Sequence, residues 1–179
     1  MTGLKSLCSG FIILQSISFI NSSCLAADNV AVNITGTILE STCNVDQSST
    51  SLAVPLGNIG SIVFNNPGDL SPESQFSIIL NCPSQFSRQA SVTFSGKLST
   101  SDASLLALDD SADAAKGVAV RINESNGDKI DMDKASIPQN LVPGINTLMF
   151  SAQYQSISAR SDIVAGTANA TAQFTINYQ

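Results

Sequence analysis

Histidine and tryptophan are absent from the 179 residues, and tyrosine occurs twice, as Tyr154 and Tyr178. Without histidine, Ser-His and Cys-His nucleophile systems are excluded. There is no G-x-S-x-G elbow, and nothing marks a pair of glycosidase carboxylates. Gly96-Lys97 lacks the upstream glycine of a phosphate-binding loop, and Leu98 stands where that loop needs a hydroxyl. Charge is scarce as well, at 12% of residues, with 8 basic against 14 acidic side chains. With a pI near 4.3, the chain lacks the clustered Lys and Arg that phosphate contacts demand, so nucleic acid is not a partner. Asp128, Asp131 and Asp133 are the one acidic cluster of note. Their spacing is not that of an EF-hand calcium loop, and the interspersed Lys129 and Lys134 favour a solvated hairpin over a calcium site. No cofactor, metal or catalytic set is expected, and the chain reads as a non-enzyme.

Long apolar runs are missing too. Leu7 to Ile20 is the most apolar stretch, but Ser9, Gln15, Ser16 and Ser18 interrupt it, and a membrane span needs about 20 mainly apolar residues. A weakly basic start, this apolar centre and a small polar end at Asn21 to Ala27 follow the plan of a secretory signal. Residues 1–27 are therefore expected to be removed, with cleavage after Ala26 as the near variant. Loss of Lys5 leaves seven basic residues against fourteen acidic, a net charge of −7. Cys8 and Cys24 leave with the signal, and Cys43 and Cys82 remain. A lone pair in an exported chain reads as one disulfide, with two buried thiols as the alternative.

What the chain does have is alternation. Val30, Val32, Ile34, Gly36 and Ile38 share one face of a period-2 segment, Asn29 to Glu40. Leu52–Leu56 is a short apolar run. Phe76 to Cys82, Val92 to Phe94, Val118 to Ile122 and Ile145 to Tyr154 alternate in the same way. Asn126-Gly127 predicts a hairpin turn. From Gly166 onward every even position is apolar or glycine (Gly166, Ala168, Ala170, Ala172, Phe174, Ile176, Tyr178) and every odd one is polar. Seven or so short strands at this spacing predict one all-β domain, a sandwich of immunoglobulin type. The last strand has no partner following it in the sequence.

Taken together, these residues resemble the pilin subunits of chaperone–usher fimbriae. The resemblance covers the whole chain after the signal. It rests on the arm "VAVNITGTI", the Cys43 and Cys82 spacing, "VPLGNI", "KGVAVRI" and "LVPGINTLMFSAQYQ". It rests also on Gly166 placed fourteenth from the end and on the penultimate Tyr178. The resemblance implies an incomplete immunoglobulin-like sandwich lacking its final strand (residues 42–179) and a donor arm, residues 28–41. It implies that Val30, Val32, Ile34, Gly36 and Ile38 fill a neighbour's groove, with Gly36 where no side chain fits. Gly166, Ala168, Ala170, Ala172, Phe174, Ile176 and Tyr178 would form the acceptor strand, and Gln179 would offer its carboxylate to a periplasmic chaperone. Implied partners are that chaperone, an outer-membrane usher and neighbouring subunits, in a fibre reached through the periplasm and displayed at the cell surface. The competing function is a secreted immunoglobulin-like adhesin that binds a receptor directly. The small number of aromatics disfavours it, because sugar sites usually want aromatic platforms.

Overall fold

In this computed structural model the described residues are 42–86 and 88–179. The signal segment 1–27 and the arm 28–41, with Val30, Val32, Ile34, Gly36 and Ile38, lie outside them. Period-2 alternation has produced two antiparallel sheets. The larger runs, in spatial order, β1 (Asn44–Val45), β2 (Ser74–Cys82), β7 (Gly144–Ser156), β4 (Val118–Glu124) and β5 (Lys129–Ile130). The smaller runs β6 (Gln139–Asn140), β3 (Gln89–Gly96) and β8 (Ala172–Tyr178). Every strand segment expected within the described residues forms one except the apolar run Leu52–Leu56, which joins no ladder. Pro55 removes a backbone donor there, and no described strand runs alongside to supply the partner a ladder needs.

The sheets pack face to face through their apolar sides. Ile78 and Leu80 of β2, Val92 of β3, and Leu148 and Phe150 of β7 are each 2% exposed or less. The ring of Phe94 meets that of Phe150 edge-on at 5.2 Å, and Phe76 lies 5.8 Å from Phe150, so three aromatics join the two layers. Aromatic pairs in such arrangements add about 0.5–1.5 kcal/mol beyond the area they bury.

Cys43 and Cys82 form a disulfide with Cα atoms 4.1 Å apart, and β1 pairs with the end of β2 beside it, Asn44 opposite Asn81. Closing this 39-residue separation stabilises by roughly 4 kcal/mol in the chain-entropy account. Asn126-Gly127 forms the expected turn between β4 and β5. Gly127 takes φ +88°, and the Glu124 N–H donates to the Asp128 carbonyl at 2.8 Å.

The terminal strand is shorter than its alternation. Its ladder with β3 begins at Ala172, not at Gly166. Residues 164–169 instead bond to the 109–116 loop: Asp109 N–H donates to Asn169 O at 2.8 Å and Ala115 N–H to Thr167 O at 2.8 Å. A Cβ at Gly166 would sit 2.2 Å from Asp113 O, so the glycine allows two backbones to touch.

Candidate functional site

Strand β8 has a hydrogen-bonded neighbour on one side only among the described residues. Its register is Tyr178 opposite Ala90, Ile176 opposite Val92, and Phe174 opposite Phe94. Just beyond the ladder, Gln179 and Gln89 exchange both backbone bonds, at 3.3 and 2.9 Å. In an antiparallel pair such exchanging positions recur at every second residue. Asn177, Thr175 and Gln173 therefore bond to β3, while the backbone groups of Tyr178, Ile176, Phe174 and Ala172 point away from it. Those four even positions also carry the apolar side chains.

Across from this free edge runs segment 52–59, irregular backbone that joins no ladder and in which Gly57 takes φ +74°. Among the described residues no hydrogen bond engages a backbone N–H of this segment, and the one carbonyl that accepts is that of Pro55, from Ser74 Oγ at 2.7 Å. This segment and the stretch from Ala168 to Phe174 thus flank a cleft of about 610 Å³. Its walls include Val54 and Leu56 on one side and Ala168, Ala170 and Phe174 on the other, with Phe76 and Leu106 between them. Asp109 lies at the rim, where Thr171 Oγ1 donates to its carboxylate at 3.1 Å.

Of the even-numbered residues, Ala168, Ala170, Phe174, Ile176 and Tyr178 are half-buried and pack against the core. Ala172 lines the cleft but is exposed. Gly166 is exposed and lies outside the cleft, against residues 113–115. All six odd positions from Thr167 to Asn177 face solvent. Two phenols pin this C-terminal segment. Tyr154 OH donates to Ala168 O at 2.8 Å, and Tyr178 OH donates to Cys43 O at 3.1 Å, with its ring against Phe86 at 5.7 Å. Burial pushes both phenols above their usual pKa. Sequence reasoning missed Leu106 as a wall, since no alternation marks it, and the facing role of Val54 and Leu56, which a local pattern does not encode.

A cleft with apolar side chains in its walls, beside a free strand edge, is a template for pairing with another chain. The comparisons with known proteins agree with such a molecule. The profile of the family described as "Fimbrial protein" matches residues 32–179. The chain belongs to the fimbrial protein family. It is 32% identical over 178 residues to the type-1 fimbrial protein, A chain, of Salmonella typhi, covering 93% of this chain and 95% of that protein. It is also 32% identical over 149 residues to the fimbria A protein of Serratia marcescens, 83% of each. Among solved structures it resembles a Burkholderia pseudomallei antigen and type I fimbria protein, with TM-score 0.60, 27% identity, and coverage of 78% of this chain and 91% of that one. The P pilus rod subunit shares the fold at TM-score 0.64 and 20% identity, covering 78% of this chain and 100% of that chain. This fimbrial chain is thus an all-β, immunoglobulin-like structural subunit of a pilus, an extracellular fibre in which subunits join their neighbours.

Proposed function

We propose that the cleft accepts a β-strand from another fimbrial subunit and that the fibre grows by this donation. The observation that supports it is a cleft with apolar side chains in its walls, flanked by the one-sided strand β8 and by residues 52–59, whose backbone N–H groups make no bond among the described residues. A strand between them takes backbone bonds from Ala172, Phe174, Ile176 and Tyr178, and its alternate side chains enter the cleft. Donor-strand complementation in pili is a recognised case of such β-augmentation. The donor is the arm 28–41 of the next copy. Val30, Val32, Ile34 and Ile38 face inward, and Gly36 crosses where there is no room for a side chain. The contact is head-to-tail and does not close on itself, so it builds open filaments.

Before assembly the same cleft needs cover, because an open apolar edge invites aggregation. A periplasmic chaperone lends that strand and meets the Gln179 carboxylate with basic residues, and an outer-membrane usher receives the complex. The signal 1–27 directs the chain to that route. The subunit works by binding and carries out no catalysis.

Deleting residues 28–41 tests the assignment. The truncated chain should still be captured by a chaperone, seen by co-purification, but should not donate to a neighbour, seen as loss of polymer by electron microscopy. Truncated chains that polymerise like the full-length protein would sink it.

A further inference from the structure

Gly96 ends β3 opposite Ala172, behind the wall of the cleft rather than in it. A Cβ at this position would lie 2.5 Å from Leu106 Cδ1 and 2.9 Å from Thr171 O. Both neighbours, and Ala172, line the cleft. Leu106 has little freedom to withdraw. Its N–H and carbonyl both bond to Val120 at 2.9 Å, the next residue bonds back to Lys97 O at 2.7 Å, and its side chain is 3% exposed. Thr171 O belongs to the backbone that leads into the free edge, so moving it moves the edge itself. The cheaper response to a side chain at 96 is rotation of the Leu106 tip, and the cleft that Leu106 lines is open space beside it.

We propose that Gly96 is a positioning residue of the cleft: by carrying no side chain, it lets Leu106 and the Thr171–Ala172 backbone close together and so sets the depth of the strand site at its Ala172 end. The residue touches no donor and acts through Leu106. This rests on the strand-donation reading and adds to it which residue shapes the acceptor.

The test is uptake of a fluorescent peptide of residues 28–41 by the purified chain, followed by anisotropy, beside a thermal melt. Gly96→Ala should weaken capture about tenfold, the scale of a small overpacking penalty, while the chain still melts cooperatively, only a few degrees lower. Combining it with Leu106→Val, which shortens the displaced tip, should restore most of the capture. Wild-type capture by Gly96→Ala, or a loss that Leu106→Val does not relieve, overturns the role of Gly96 alone. A wild-type chain that takes up no peptide overturns strand donation and this inference together.

Discussion

Strands β7 and β8 carry the same kind of sequence and live in different surroundings. Each alternates apolar and polar residues, and each turns its apolar face to the same core. β7 has β2 on one side and β4 on the other. Its inward Leu148 and Phe150 are 2% and 1% exposed. β8 has β3 on one side alone among the described residues, and its inward Phe174, Ile176 and Tyr178 stay half-exposed. Alternation encodes a face; it does not encode the number of neighbours. The difference between the two strands is the missing half of a ladder among the described residues, and that is where we propose a neighbouring subunit's strand docks.

The comparison breaks most visibly at the donor. Gly36→Leu should abolish polymer formation, scored by electron microscopy, while the melting curve of the isolated subunit stays unchanged. Normal fibres from that variant would remove Gly36 from the close-approach position. Next come paired truncations. Phe150→Ala should cost about 3–5 kcal/mol in urea unfolding, the range for a fully buried aromatic. Phe174→Ala should cost clearly less in the isolated chain, because its side chain is only partly buried there, and its cost should rise once a donor peptide is bound. Equal costs for the two in the isolated chain would contradict the contrast between the strands.

A smaller effect is expected at the end of β8. Tyr178→Phe removes the bond to the Cys43 carbonyl and should cost about 1 kcal/mol, read by urea unfolding with the disulfide intact. The smallest concerns Glu124 in β4, beside β7. Burial raises its carboxyl above the ordinary value, Asp128 adds to the rise, and the bond from Ile137 N–H at 2.6 Å opposes it. A raised folded-state pKa means that the stability this group contributes is present in acid and is lost as pH rises through that value. Glu124→Gln keeps the acceptor oxygen for Ile137. It should therefore gain stability over wild type near neutral pH, and the gain should vanish near pH 4, in melts taken across that range.

Much of the fold was legible because period 2 is local. The faces of β2, β4, β7 and β8 follow from which residues alternate, and the Asn126-Gly127 turn follows from two residues. The Cys43–Cys82 bridge followed from counting cysteines after the signal. Pairing partners were not legible. That β8 lies against β3, some eighty residues away, depends on closure of the whole sandwich. Leu52–Leu56 has the composition of a strand but no described neighbour to bond. The alternation of β8 runs six residues past its ladder, because Gly166 brings the chain against residues 113–115 and diverts its bonds there. The candidate site was legible as one strand from Ala168 to Tyr178. Its opposite wall, with Val54, Leu56 and Leu106, is a fact of three-dimensional placement.

The most direct test of strand donation is amide hydrogen exchange along β8. It should be measured on the chain lacking residues 28–41, before and after a peptide of those residues is added. The register predicts that the N–H groups of Gln173, Thr175 and Asn177, bonded to β3, are protected in both samples. Those of Phe174, Ile176 and Tyr178 should exchange freely at first and become protected when the peptide binds. Even-numbered amides already protected without the peptide, or still unprotected with it bound, would contradict the account.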